Sequence, residues 1–389
     1  MINKFGGKTK LNIKRLLLIL VASILVGLGA CSKENQTAKK LAQDTADTAK
    51  NLDANLTFKN VILEQADDKG RLWWKVKANQ AEYSKDQKNA QIYNPDGELF
   101  QDGKVVYKIK ATTGEVQQDG EKILLRGDII ATAIQDGAVL KGKELEWRPK
   151  EDKLIVRNNL TGTHAKLEAK ATEAHVFSRA RRMELFGQVV AVAKDPPLQM
   201  RGEHLIWEMA KEIVISNKPI QIDRYKDANN ITDRALGKTG QVDLKAKIAT
   251  LKDNAQITLL EPPVQAFSNS LVWNLNGKKL VSDTPVQVIH RQQPMTVRGN
   301  KGWMDLEKKV FYLTGNVIGT ESKRQSKMTA DRMNWLLSTQ EVAAEGNVIY
   351  QQAYPPLNLN GPKAFGKLQN QTIVITGDTG GSVITNIIP

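Results

Sequence analysis

Gly187-Gln188-Val189-Val190-Ala191-Val192 stands sixteen residues after Ala171, and Gly346-Asn347-Val348-Ile349-Tyr350 stands sixteen residues after Ala330. In each, a turn-prone residue opens a run of branched aliphatics, and the arrangement recurs along the chain. Small residues open ten units at Ala78, Ala111, Gly142, Ala171, Gly202, Gly237, Ser268, Gly299, Ala330 and Gly361, spaced by 33, 31, 29, 31, 35, 31, 31, 31 and 31 residues. Five positions on, nine of the ten units carry a large apolar residue: Tyr83, Val116, Trp147, Val176, Trp207, Val242, Trp273, Met304 and Trp335. Gly366 breaks the rule in the tenth. Sixteen positions on come Asn94, Gly127, Asn158, Gly187, Lys218, Asp253, Thr284, Gly315, Gly346 and Gly377, turn-prone or polar throughout.

A fixed period of this size marks a stacked array in which each unit buries its apolar face against its neighbours. Segments such as Lys122-Ile123-Leu124-Leu125-Arg126-Gly127 and Leu154-Ile155-Val156 are short, rich in branched aliphatics and bounded by Gly, Asn, Asp and Pro. No long stretch keeps a 3.6-residue rhythm, so the units are built of strands. Two strands per unit, each of about five to seven residues, predict an elongated all-β body of about twenty short antiparallel strands. Composition agrees: 41% hydrophobic and 25% charged residues describe a folded protein, and 6% aromatics suit aliphatic strands better than an aromatic carbohydrate cleft.

The N-terminus reads as an export signal over residues 1–30. Lys4, Lys8, Lys10, Lys14 and Arg15 precede an uncharged run from Leu16. That run ends in Leu28-Gly29-Ala30-Cys31, which resembles the lipobox of bacterial lipoproteins and makes Cys31, the sole cysteine, a lipidation site. An uncleaved anchor helix is the other reading, because the run is close to the shortest that spans a bilayer. Either places the body outside the cytoplasm, without disulfides. Residues 31–56, rich in Ala, Lys, Asp, Thr and Gln, read as a polar tether. The net charge is +14, of which the signal contributes +5. A basic surface invites anionic partners, an anionic glycolipid or a membrane face rather than nucleic acid in an exported protein, or serves solubility alone.

Nothing in the sequence assembles a catalytic centre or a cofactor site. His164, His175, His204 and His290 fall in different units at offsets that look unrelated, without metal spacing, and there is no phosphate loop or nucleophile elbow. Acids such as Glu144, Glu146, Asp305 and Glu307 are scattered. The aligned Trp147, Trp207, Trp273 and Trp335 pack a core or, if two facing sheets part along an edge, line a groove for acyl chains. Burial there would contribute about 0.8 kcal/mol per methylene.

Gly70-Arg71-Leu72-Trp73-Trp74-Lys75-Val76-Lys77-Ala78, Ala81-Glu82-Tyr83, Gly97-Glu98-Leu99-Phe100, Lys110-Ala111-Thr112-Thr113-Gly114, Ile123-Leu124-Leu125-Arg126-Gly127-Asp128-Ile129 and Leu145-Glu146-Trp147 resemble, in order and spacing, the LptC family of lipopolysaccharide exporters. Later units, among them Ala330-Asp331-Arg332-Met333-Asn334-Trp335 and Ala344-Glu345-Gly346-Asn347-Val348, are similar to OstA/LptA-type repeats. The resemblance divides the body into LptC-like repeats at 57–192 and an OstA/LptA-like extension at 193–389. It implies a twisted β-jellyroll, the β-taco, in a non-enzymatic periplasmic lipid-transfer protein. Such a protein accepts lipopolysaccharide, or a related anionic glycolipid, from inner-membrane ABC transporter subunits. It then passes the lipid along a hydrophobic groove to an LptA-like bridge protein joined by edge-strand addition. The family role places the anchor in the inner membrane, while Ser32 after Cys31 favours the outer. Family members of this kind are about half as long, which leaves open whether the extra units replace part of the bridge. Two other readings stand: a closed scaffold lipoprotein, and a solenoid enzyme acting on envelope polysaccharide.

Overall fold

At six of the ten units the turn-prone residue at offset sixteen does not separate strands; it bends one. In a computed structural model that describes residues 56–84, 89–117, 122–227, 230–293, 295–367 and 372–377 and the backbone of 384–386, the strand Arg182–Ala193 runs through Gly187 (φ 74°) and Gln188 (φ 48°) without ending. Gly315-Asn316 and Gly346-Asn347 repeat the left-handed pair, and Asn158-Asn159 and Asp253-Asn254 do so without glycine. Asn and Asp are the side-chain-bearing residues that best tolerate this region. The ladder slips its register at the same places, between Phe186 and Val189 and between Thr314 and Val317, as a β-bulge does. Each strand therefore turns a corner halfway along.

The small openers sit opposite these corners, where the neighbouring strand leaves room for no more than a small side chain. A Cβ at Gly142 would lie 2.7 Å from Val156 Cγ1 and 2.9 Å from the Arg157 carbonyl oxygen. The residue after the opener braces the corner of the next strand: Thr112 Oγ1 accepts a hydrogen bond from Asp128 N (3.1 Å), and Asn347 Nδ2 donates to Asp331 Oδ2 (3.0 Å).

Among the described residues there are 28 strands in one continuous antiparallel sheet. The excess over about twenty has a simple cause. At Pro95, Pro219 and Pro285 the corner residue lacks an N–H, the strand breaks in two, and so does its successor. Ile213–Ser216 and Ile220–Asp227 are one such divided strand, and Asn230–Gly237 with Thr239–Asp243 is the divided neighbour. These halves, of 4, 8, 8 and 5 residues, come near the expected five to seven; undivided strands such as Leu167–Phe177 have 11.

Folding the sheet along its line of corners makes two facing layers. One, the Trp layer, holds Trp147, Trp207, Trp273 and Trp335; the other holds the opposite halves. Burial alternates on both sides of each corner, as in Leu198–Glu208, and the inward residues form one unbroken apolar core from Trp74 to Ala364. Since every strand serves both layers, each layer has about twenty half-strands and runs ~95 Å at ~4.8 Å per strand, twice the reach of an array that alternates strands between layers. The ladder crosses 192/193 without interruption, because Arg182–Ala193 pairs with Leu198–Glu208. Residues 1–55, with the expected signal, Cys31 and most of the tether, lie outside the described residues. Among the described residues no helix is long and apolar enough to cross a membrane.

Candidate functional site

The offset-five residues occupy one column across the inner face of the Trp layer, each reached from the next through one intervening strand. Tyr83 pairs with Ala90 and Ala90 with Val116; Ile123 links Val116 to Trp147. Leu154 then joins Trp147 to Val176, and Met183 joins Val176 to Trp207. Val214 leads to Val242, Ala249 to Trp273, Leu280 to Met304 and Phe311 to Trp335, and the column ends through Val342 at Gly366. From Val116 to Trp335 every offset-five residue is at most 8% exposed; Tyr83 is half-buried. The period found in the sequence is thus the spacing of one apolar line inside the fold.

This column lies near the free margin of its layer, away from the corners, so its side chains face the mouth between the two lips. Side-chain contacts cross that mouth at intervals. Trp147 Nε1 donates to the Trp73 carbonyl (3.1 Å), and the Tyr107 ring stands edge-on to Trp147 at 6.2 Å. Ser178 Oγ donates to Tyr107 Oη (3.2 Å), and burial pushes that phenol up to about 12. Arg179 holds Asp102 through two 2.8 Å bonds, drawing its carboxyl down to about 2. Further on, Lys166 meets Glu212 (2.6 Å) and Lys247 meets Asp195 (2.9 Å). His164 stands 4.9 Å from the ring of Trp207, Arg224 lies 5.3 Å over that of Trp273, and His290 is 6.1 Å from that of Trp335. Arg224 is itself held by Asp233, which is 4% exposed, with Nε donating to Oδ2 at 2.6 Å. From Trp207 to Trp335 the mouth is bridged and the interior filled. The cross-mouth partner always comes from several strands earlier, as the twist of packed sheets requires.

His164 and His290, which look unrelated in the sequence, both stand 22 residues after an opener, Gly142 and Ser268, and Arg224 stands 22 after Gly202. They form a second column on the opposite lip, facing the tryptophans. A count of offset 22 finds it; a search for metal spacing does not. His175 and His204 lie elsewhere, sandwiching Phe186 on the outer face at 4.8 and 4.6 Å. Among the described residues no three His, Cys, Asp or Glu side chains are placed to hold a metal ion.

Three of the four aligned indoles are polar anomalies. The buried Nε1 atoms of Trp207, Trp273 and Trp335 donate to no protein acceptor, whereas that of Trp147 does. Burial without a partner costs ~1–3 kcal/mol per group. Their contribution to the fold is the ring, not the N–H.

Beyond Trp335 the filling stops. A cavity of about 310 Å³ lies between the layers, with Met333, Val342 and Ile373 on one side and Met295, Met328 and Tyr350 on the other. Gly366 and Glu321 line it too, and Glu321 stands at offset 22 from Gly299. The units of Trp207, Trp273 and Trp335 set the indole opposite His or Arg, and the alternate units carry Val176, Val242 and Met304 at the same offset; this one, next in that alternate series, places Gly opposite Glu. A second opening of about 300 Å³ lies at the mouth between the Trp147 and Trp207 contacts, lined by Tyr107, Ala133, Leu140, Val176, Met183 and Met209. A third, about 380 Å³, lies by the first strands at Leu56, Phe58, Trp74 and Tyr83.

Residues 16–189 match a family model described as "Lipopolysaccharide-assembly, LptC-related". No curated protein matches the chain.

Proposed function

The chain being an LptC-related protein through residues 16–189, we propose that it is a periplasmic, inner-membrane-associated component of lipopolysaccharide transport. It accepts the lipid's acyl chains between its layers and leaves the sugar head in solvent. The observation that carries this reading is the continuous apolar interior behind a mouth closed by side chains alone. Backbone ladders lie within the layers, and only ion pairs, ring contacts and single hydrogen bonds join the lips. Exposed ion pairs contribute ~0.2–1 kcal/mol each. Acyl chains that replace the bridging contacts recover ~0.8 kcal/mol per buried methylene, so a few methylenes per strand suffice to hold the lips apart. The interior is thus a closed seam that a lipid opens locally.

Partners follow from the edges. The first described strand, Leu56–Ala66, pairs with Leu72–Tyr83, and among the described residues nothing pairs with its other edge, with Leu56, Phe58 and Ile62 exposed. This outer strand faces the transporter subunits by strand addition. At the far end Thr372–Thr376 pairs with Leu357–Lys367 and offers the next edge to a bridge protein. The reach of ~95 Å lets one chain serve as exporter subunit and part of the bridge.

A photoreactive residue at Val242, fully buried in mid-column, tests the cargo, with Asp243 on the other face as control. A lipopolysaccharide adduct at Val242 alone supports the reading. The bridged mouth also favours a second one, a scaffold that never opens, and a folded, exported protein that yields no lipid adduct at Val242 supports that instead.

A further inference from the structure

The cavity beyond Trp335 exists because of what two columns lack. At Gly366 a Cβ would meet nothing closer than the Thr372 carbonyl oxygen at 3.3 Å, and at Gly319, on the opposite wall, nothing closer than Met333 Cε at 3.4 Å. Neither position has a positive φ, so corner geometry does not demand glycine there; a Cβ at Gly319 would make ordinary contact, and one at Gly366 would require the Thr372 carbonyl to give by a few tenths of an ångström. Glycine at these places leaves space instead. On the facing lip, Glu321 does not bridge: its Oε1 and Oε2 accept the backbone N–H groups of Lys323 (2.6 Å) and Arg324 (3.1 Å) in its own loop.

The rim has the chemistry the interior lacks. Among the described residues Lys323, Arg324 and Lys367 line the opening together with the carboxylate of Glu321. Lys367 reaches Glu341 only at 3.4 Å. An apolar chamber at the lower end of the size range of ligand pockets, rimmed by three cations, fits an apolar chain that carries an anionic group at one end.

We propose that this chamber is a holding site for one acyl chain of an anionic glycolipid. The chain lies along Gly319 and Gly366, and the anionic group meets Lys323, Arg324 and Lys367. The proposal rests on the lipid-transfer reading and adds to it a resting place at the C-terminal end of the array, where the chamber is already open. Gly366 ends the column of bulky residues because a cargo chain takes the place of the missing side chain.

The test uses the purified full chain with lipopolysaccharide as probe, and a photoreactive residue at Tyr350 in the chamber or at Val242 in mid-column. The expected result is a lipid adduct from Tyr350. Gly366→Trp, which restores the column, reduces it at least about tenfold, the loss expected when two or three methylenes lose their burial. Lys323→Glu with Lys367→Glu weakens it several-fold, as does raising salt from about 50 to about 500 mM. Unfolding of each variant in urea, at an unchanged midpoint, shows that the fold is intact. An adduct at Val242 but none at Tyr350 overturns the chamber and leaves the transfer reading standing; no adduct at either overturns both. A lipid adduct that persists in Gly366→Trp, or an adduct to another protein in place of lipid, also overturns the holding site.

Discussion

The middle of the array and its C-terminal end are made from one repeating unit, yet the middle is filled and bridged while the end is hollow. In the middle, Trp207, Trp273 and Trp335 face His164, Arg224 and His290 across the mouth. At the end the same two columns present Gly366 and Glu321 to a cavity of about 310 Å³. The ladder barely notices: Glu341–Gln352 pairs with Leu357–Lys367 through ten residue pairs and one corner slip, like any pair further back. Corners and ladders hold the fold, and the two mouth columns decide what the fold contains. A unit can then change from plug to chamber by substitution at two positions, without cost to its neighbours.

That division is broken most severely in the column itself. Trp273 is fully buried, and Trp273→Ala should cost ~3–5 kcal/mol in urea unfolding, while Gly366→Trp should shift stability by no more than ~1 kcal/mol. Equal costs at the two sites would erase the distinction between filled and hollow units. A smaller effect is expected at the inward ion pair. Asp233 accepts from Arg224 Nε and from Thr232 Oγ1 (2.9 Å). Asp233→Ala should cost ~2–3 kcal/mol, below the full penalty for a broken buried pair because Arg224 keeps some solvent. Adding Arg224→Leu should recover most of it, since the cost lies in the stranded charge. A double variant no better than the single one would show that the pair holds the lips together by attraction.

Much of this was legible because the period is a backbone requirement. Ala171 and Gly187 announce themselves by size and by φ, and the column at offset five follows from them at a fixed strand distance. Gly366 was visible as a broken rule, though not as a chamber. The corners were misread as turns between strands because Gly and Asn serve both; only the register shows that Arg182–Ala193 continues. Strands were therefore assigned half their length and the array half its reach. The bridges were hidden for another reason. His164 and Trp207, Arg224 and Trp273, and His290 and Trp335 stand 43, 49 and 45 residues apart, because each pair joins offset 22 of one unit to offset 5 of the unit two further on, a stagger that sheet twist sets and a search within one unit or its neighbour does not reveal. The ion pairs Lys166–Glu212 and Asp195–Lys247 follow the same two-unit stagger, from offset 24 to offset 10.

Two bridges sharpen the comparison through pH. Burial, and secondarily Arg291, holds the His290 imidazole below its ordinary value, and its Nδ1 accepts the N–H groups of Gln292 (3.3 Å) and Gln293 (3.1 Å). Stability from the neutral ring is complete above its unfolded pKa of about 6.5 and declines as pH falls below that, toward the lower folded value. Amide protection factors around Trp335, which correct for the intrinsic pH dependence of exchange, should therefore fall several-fold between about pH 7 and about pH 5, and His290→Asn should remove that dependence. Protection that is flat across this range would mean the contact does not hold the mouth.

The smallest effect is expected at the outermost bridge, where Asp102 meets Arg179 in solvent. Their hydrogen bonds, ahead of their Coulombic attraction, lower the carboxyl to about 2. A depressed acid stabilises the fold above its unfolded pKa of roughly 3.9, and that contribution disappears as pH falls through about 2. Both side chains are half-exposed, at 51% and 52%, so screening keeps the bridge weak, and Asp102→Asn should cost less than ~1 kcal/mol at neutral pH. Its consequence should be local. Exchange should rise in the loop 178–181 and beside the opening lined by Tyr107 and Met183, and the region around Trp273 should not respond. A response that spread to Trp273 would show that the lips part as one body; confinement to the first opening would show that the seam yields strand by strand, as a lipid moving along it requires.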